Sequence, residues 1–389
     1  MTKTLNIAMI GGGFMGKAHA MAYATMPMSY WPAPAIPCRK ILVDISDELA
    51  ADGAARYGFE ESSTDWKAAV TRADIDAVDI VTPNDSHAQI AIAALEAGKH
   101  VMCEKPLART GAEAKTMFEA ARKAGTVNMV AFNYRRTPAV AQAKKYIEDG
   151  RIGKVLNFRG TYLQDWSADP NGPLSWRFQK EIAGSGTIGD IGTHVVDFAR
   201  YLVGEIEAVN AMVHNYIHER PIQENTLDKL GASDKSGGGP MGKVDVDDEM
   251  IAMLRFANGA VGSIEATRNA YGRNNFLTFE VHGSKGSIAF NYERMDELQV
   301  MFADDPADAR GFRTVYTGPA HPNGDALWPI PALGIGYAET KIIECHDFLA
   351  AIANGTQVSP DFEDGWRTSA IADGILESGE SQSWVPTRP

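Results

Sequence analysis

The chain has 389 residues, 44% of them hydrophobic, enough for more than one packed core, so two domains are expected. Its 37 basic and 50 acidic side chains leave a net charge of −13, which argues against nucleic acid or an anionic membrane surface as partner, since both reward a basic face. Three scattered cysteines (Cys38, Cys103, Cys345) form no CxxC pair, and no apolar run approaches membrane-spanning length, so no disulfide framework, zinc knuckle or span is expected.

Residues Met1–Asn6 lead directly into an apolar strand without the pattern of a signal peptide, and a cytoplasmic, reduced protein is the expectation. Strand Leu5–Ile10 is followed by a glycine loop and a helix carrying His19 to Met26. A proline-rich excursion, Pro27 to Pro37, precedes strand Lys40–Val43, which ends at Asp44. Helix Ser46–Tyr57 has Ser46 as its N-cap and stops at Gly58. Helix Trp66–Ala73, strand Ala77–Thr82, helix His87–Ala97, strand His100–Cys103, helix Glu113–Lys123 and strand Val127–Phe132 complete an alternation that predicts a doubly wound parallel sheet over residues 1–134.

Over residues 135–389 the pattern changes. Helix Ala139–Glu148 leads into strands Val155–Tyr162, Met250–Phe256, Ala260–Thr267, Phe276–His282 and Ser287–Tyr292, with Asn258-Gly259 as a hairpin turn. This half reads as an α+β domain built on a large, mostly antiparallel sheet, with helices on one face; a broad exposed sheet face would favour a homo-oligomer, dimer or tetramer. Residues 219–243 look like an excursion around Gly237-Gly238-Gly239-Pro240, and the last helix is placed at Glu339–Ala353, ending at Gly355.

Gly11, Gly13 and Gly16 fit G-x-G-x-x-G between a strand and a helix. The first permits the tight turn, the second lets backbone approach a pyrophosphate, and the third lets helix and strand pack closely. Phe14 and Met15 lie inside this loop. Asp44, ending the second strand, can accept from both adenosine ribose hydroxyls and would repel a 2′-phosphate, which favours NAD over NADP. The bland alternative for Asp44 is a loop acid that caps a helix. Thr82-Pro83-Asn84 closes another strand at the same edge, where Asn84 and His87 could meet the nicotinamide ribose.

Met102-Cys103-Glu104-Lys105-Pro106-Leu107 sets a lysine between an acid and a proline at a strand's carboxyl end, the edge where open parallel sheets bind ligands. Glu104 and Lys105 are therefore counted with the cofactor residues. Asp190 and His194 are four apart in Thr187–Asp197, which on a helix places both on one face. His194 suits a general base and Lys105 a donor to the reacting oxygen. A lone histidine is more often a satisfied core residue; here the strand-end lysine and the dinucleotide loop favour the catalytic reading. No third ligand accompanies the pair, so no metal site is expected. Tyr134, Arg135, Gln164, Trp166, Trp176, Arg177 and Tyr337, with Lys105, Asp190 and His194, are candidates to hold a polyol, although each alone could equally be a packed aromatic or a surface charge.

Glycine loop, Thr82-Pro83-Asn84, Glu104-Lys105-Pro106-Leu107, Asn133-Tyr134-Arg135-Arg136 and Asp190-x-x-x-His194 occur in the order found in the Gfo/Idh/MocA oxidoreductases, which the chain resembles over essentially its whole length. The resemblance implies a Rossmann domain with bound NAD, a C-terminal α/β domain, a sugar or cyclitol substrate, a cis bond between Lys105 and Pro106, and Lys105, Asp190 and His194 as the catalytic set. The stretches Met15–His19, Phe132–Pro138, Thr161–Pro170 and Leu333–Tyr337 resemble most the members acting on a 1,6-anhydrosugar, which implies oxidation at C3. Inositol or aldose oxidation, glycoside cleavage that returns NAD unchanged, and a sugar-responsive NAD-binding regulator remain alternatives.

Overall fold

The computed structural model describes residues 2–222 and 240–387. Most of the excursion expected over 219–243, including its glycine run, lies outside the described residues. The chain forms two compact units, Met1–Asn133 with Gly336–Ser369, and Tyr134–Ile335 with Ala370–Pro389.

In the first unit the elements are β1 (Thr4–Ile10), α1 (Phe14–Ser29), β2 (Ile36–Val43), α2 (Asp47–Tyr57), β3 (Glu61–Ser63), α3 (Trp66–Thr71), β4 (Ala77–Ile80), α4 (Asn84–Glu96), β5 (His100–Cys103), α5 (Gly111–Ala124) and β6 (Asn128–Val130). The strands lie in the order β3-β2-β1-β4-β5-β6, all parallel. The order reverses between β1 and β4, and the crevice at such a switch point is where doubly wound sheets take ligands. Local signals act as expected: Ser46 accepts from Leu49 N at the start of α2, and Gly58 ends it with φ +72°. Thr110 caps α5 through Glu113 N, and Gly125 closes it at φ +67°. The proline-rich excursion is shorter than the sequence suggests, because α1 continues through Pro27 and β2 begins at Ile36. Apolar layers pack on both faces of the sheet, one around Leu5, Ile7, Met9 and Tyr23, the other around Ile10, Val78, Ile80 and Val101.

The second unit comprises α6 (Pro138–Glu148), β7 (Val155–Leu163), α7 (Lys180–Ala183), a π-helical turn (Ile188–Gly192), α8 (Thr193–Val203), β8 (Ile206–His214), β9 (Glu219–Pro221), β10 (Met241–Lys243), β11 (Glu249–Phe256), β12 (Val261–Thr267), β13 (Phe276–Gly283), β14 (Gly286–Asn291), β15 (Glu297–Phe302), β16 (Arg313–Tyr316) and β17 (Val385–Pro386). Strands β9 and β10 pair at the two ends of the excursion. The other nine form one sheet, β16-β15-β14-β13-β7-β12-β11-β8-β17, antiparallel except between β7 and β12. Its inner face buries Phe158, Leu254, Phe279 and Phe290. Helix α8 approaches so closely there that a Cβ on Gly160 would lie 2.6 Å from Val195 Cγ1. The outer face leaves Leu156, Met212, Ile251, Met253 and Val261 exposed.

Two stretches differ from the sequence reading. Residues 336–369, assigned there to the second domain, return to the first unit. Their helix α9 (Tyr337–Asn354) places Ile342, Cys345, Phe348 and Leu349 in the same apolar layer as Tyr23 and Met26 of α1. Helix α9 is also not the last, since α10 (Phe362–Ser381) follows it.

Candidate active site

In the nucleotide unit, the glycine loop is built as its sequence requires. Gly11 has φ +105°, and a Cβ there would meet Val81 O at 2.8 Å, across the β1/β4 crevice. A Cβ on Gly16 would lie 2.6 Å from Gly11 O, so this position demands glycine for helix–strand packing. Gly13 is the N-cap of α1, leaving the helix's first amide groups for a pyrophosphate. Asp44 Oδ2 accepts from Gly12 N at 2.8 Å, and its Oδ1 accepts from Ile45 N at 2.7 Å. The carboxylate is thus fixed beside the loop. Bare backbone at Gly11–Gly13 and an aimed acid at β2 are the features an NAD adenosine diphosphate needs. Thr82 packs against Gly11, and its hydroxyl accepts from Ser86 Oγ at 2.6 Å. Tyr337, opening α9, stacks on Phe14 at 6.3 Å and donates to Met15 Sδ at 3.5 Å, so these three candidates gather at the loop.

Three residues expected at the cofactor take inward positions. His87 is buried between the carbonyls of Thr82 (2.9 Å) and Pro106 (3.1 Å), tying two strand-end loops together, and burial pushes its pKa below the usual value. Asn84 is the first residue of α4 and is buried as well. Glu104 turns into the unit: its Oε1 takes Lys341 Nζ at 2.7 Å and His19 Nε2 at 3.1 Å, while Oε2 accepts from Lys105 N at 3.0 Å. Burial works to raise this carboxyl, but Lys341 and His19 hold it well below the usual range. Lys105 follows, half-buried, with a cis bond to Pro106.

In the second unit, Asp190 lies in the π turn and His194 is the second residue of α8. The four-residue spacing therefore crosses a widened turn rather than regular helix: Thr193 N reaches back to Ile188 O. Such π turns are frequent at functional sites. Asp247 holds the turn in place, accepting from Gly186 N and Ile188 N at 2.7 Å each. A Cβ on Gly186 would collide with Asp247 O. Asp190 Oδ2 accepts from Arg268 Nη1 at 3.2 Å. Arg268 is fully buried, its guanidinium 5.2 Å from the rings of both Trp166 and Phe178.

His194, 4% exposed, lies against Tyr134 (4.5 Å between rings) and Tyr162 (6.0 Å). From these rings a polar chain runs outward. The Tyr134 and Tyr162 hydroxyls are 2.9 Å apart, and Tyr162 donates to Asn275 Oδ1 at 2.6 Å. Gln164 Nε2 donates to the same Asn275 oxygen at 2.9 Å, and Trp166 Nε1 donates to Gln164 Oε1 at 2.9 Å. Four candidates, Tyr134, Gln164, Trp166 and His194, are thereby brought together. Trp176 and Arg177 sit on a short 3₁₀ turn, the guanidinium 4.4 Å from the Trp176 ring.

Arg135 is placed differently from the expectation. Its Nε donates to Asp197 Oδ2 at 2.8 Å, and both side chains are buried, so the pair locks α8 onto the chain before α6. Asp197, three residues beyond His194 in sequence, is engaged in the same pair. Tyr162, Asn275, Arg268 and Asp247 were not picked out from sequence. Tyr162 occupies an inward strand position and reads as core, and the other three sit just outside strands without any motif, Arg268 after β12, Asn275 before β13 and Asp247 before β11.

Residues 5–132 match the family described as oxidoreductase family, NAD-binding Rossmann fold, and residues 140–289 match the GFO/IDH/MocA C-terminal domain. The chain belongs to the GFO/IDH/MocA oxidoreductases. It is 66% identical over 383 residues to the levoglucosan dehydrogenase of Pseudarthrobacter phenanthrenivorans, covering 98% of each chain. It is 29% identical over 377 residues to the inositol 2-dehydrogenase of Rhizobium meliloti, covering 96% of this chain and 97% of the relative. Among solved structures, a levoglucosan dehydrogenase in complex with NADH and levoglucosan has a TM-score of 0.94 at 64% identity, with 100% of both chains covered. The first unit therefore carries the family's NAD-binding fold. Among the described residues no cluster of His, Cys, Asp or Glu could hold a metal ion, and no helix is long and apolar enough to cross a membrane.

Proposed function

We propose that the protein oxidises the C3 hydroxyl of levoglucosan, an unphosphorylated 1,6-anhydrosugar, with NAD as hydride acceptor. The 66% identity to a levoglucosan dehydrogenase along nearly the whole chain carries this reading. The polar chain from Tyr134 to Trp166 supports it, because aromatic faces interleaved with amide and hydroxyl groups match a sugar's C–H patches and hydroxyls. NAD, when bound, takes up the hydride. His194 accepts the hydroxyl proton. Lys105 donates to the reacting oxygen and stabilises the charge that develops on it. Asp190, held by Arg268, orients the substrate or the imidazole.

The test is NADH formation with levoglucosan, inositols, glucose, galactose and xylose. Levoglucosan should give the highest kcat/KM. Faster turnover of an inositol, or glycoside cleavage without net NADH, would refute the assignment. Lys105→Ala and His194→Ala should each lower kcat by roughly 10²–10⁴-fold with NAD binding retained.

The protein acts, in this reading, in the cytoplasm, as its three unpaired cysteines suit. It acts as a homo-oligomer, a dimer or tetramer, through the outer sheet face. Met212 and Ile251 are paired neighbours there, 68% and 40% exposed, beside Met253 and Val261. Such an apolar face is uncommon on a monomer. Light scattering on the purified chain, with Met253→Glu as the disrupting variant, tests this part.

A further inference from the structure

A cluster of buried charge lies directly behind Lys105. Five ionisable side chains from four parts of the first unit meet there: His19 on α1, Asp79 on β4, Glu104 after β5, and Lys341 and Glu344 on α9. His19 Nδ1 donates to Asp79 Oδ2 at 2.9 Å. Lys341 Nζ donates to Glu104 Oε1 at 2.7 Å and to Glu344 Oε2 at 2.8 Å. Lys341 is only 2% exposed and Glu344 1%. Burying a lysine so completely is costly unless its partners are well placed. An apolar pair would fill this volume at less risk, so the charges call for a reason beyond packing.

The geometry of Glu104 supplies one. Its carboxylate bridges two tasks: Oε1 is gripped from inside by Lys341 and His19, and Oε2 faces outward to the Lys105 amide at 3.0 Å. With Oε1 held by two donors, the carboxylate cannot rotate, and Oε2 stays aimed at Lys105 N. That hydrogen bond fixes the peptide plane entering Lys105 and hence the direction in which its side chain leaves the backbone. We propose that Lys341 is a positioning residue for Lys105, acting through Glu104 from a helix that returns late in the chain to the nucleotide unit. Lys341 lies outside both family-matched segments, 5–132 and 140–289. The catalytic consequence rests on the role given to Lys105 above; the structural claim does not. Displacements near 1 Å in a reacting group can cost about a hundredfold in rate.

Two measurements on the full chain test it. The first is hydrogen exchange at the Lys105 amide in wild type and Lys341→Met, with Glu104→Gln/Lys341→Met as a charge-balanced second variant should the single substitution fold poorly. Exchange at Lys105 should speed up at least tenfold in Lys341→Met while the β5 amides Val101–Cys103 keep their protection, and the double variant should restore part of it. Unchanged exchange at Lys105, or equal loss along β5, would overturn the proposal even if the enzyme proved inactive on every sugar. The second is a double-mutant cycle with Lys105→Ala in the sugar assay. Lys341→Met should lower kcat 10- to 100-fold in wild type at nearly constant NAD affinity, and should add nothing once Lys105 is gone. Equal losses in both backgrounds would reduce Lys341 to a stability role.

Discussion

His19 offers a quantitative prediction about pH. Burial alone would lower its pKa, and the ammonium of Lys341, 3.1 Å from Nε2, works in the same direction. The carboxylates of Asp79 and Glu104, one on each ring nitrogen, outweigh both and raise it from 6.5 to about 9. Glu344 and Tyr23 complete the surroundings, each with its pKa raised by burial. At roughly 1.4 kcal/mol per pH unit, the charged imidazole contributes about 3 kcal/mol to the folded state. Because the folded pKa is the higher one, this contribution is complete below pH 6.5, declines as the pH rises from there, and is gone once the pH has passed through about 9. Calorimetry across that window should show wild type losing roughly 4 °C in Tm more than His19→Gln, whose stability lacks this dependence, since about 3 kcal/mol is spread over the unfolding entropy of a 389-residue chain. Labelled-imidazole NMR should place the His19 midpoint near 9, identified by the resonance missing from the variant. A midpoint near 6.5, or parallel Tm profiles for the two proteins, would refute the assignment of an imidazolium between two carboxylates.

Three further outcomes follow from single contacts. Asp44→Ala removes the acceptor beside Gly12 and Ile45 and should weaken NAD binding by roughly 10- to 100-fold in calorimetric titration, at about 1.5–3 kcal/mol for charge-assisted bonds, while narrowing the preference over NADP. Asp247→Asn turns an acceptor of two amide groups into an acceptor of one, at a cost of about 1–3 kcal/mol, and should lower kcat by loosening the π turn that carries Asp190. Tyr162→Phe removes the hydroxyl shared by Tyr134, Gln164 and Asn275 and should raise KM for the sugar about tenfold, with NAD affinity unaltered.

The first 134 residues were readable because their signals are local. Glycines stop helices, caps precede them, and a strand ends where Asp44 or Glu104 begins. What escaped was decided at long range. Strand β3 is three polar-leaning residues, Glu61-Ser62-Ser63, with no pattern of its own, and exists because β2 offers an edge. Helix α10 was missed because Gly365, Gly374 and Gly379 lower its helical propensity. The structure shows what selects them: a Cβ at each would crowd Leu107, Thr387 and Val213 respectively. Close packing outweighed propensity, and a reading by propensity had no access to those partners.

The same distinction sorts the site residues. Lys105, Asp190 and His194 stood out because their motifs are short and unusual, and the glycine loop because backbone geometry dictates it. Arg135 and Glu104 carry equally visible charges but turn inward, each toward a partner far along the chain: Asp197 for Arg135, Lys341 for Glu104. A charged residue beside a catalytic one can touch the substrate or hold its neighbour in place, and sequence spacing does not distinguish the two. Burial does. A charge that is almost fully buried and matched by an opposite one has already spent its hydrogen bonds on the fold, so its influence on the reaction has to pass through the residue it fixes.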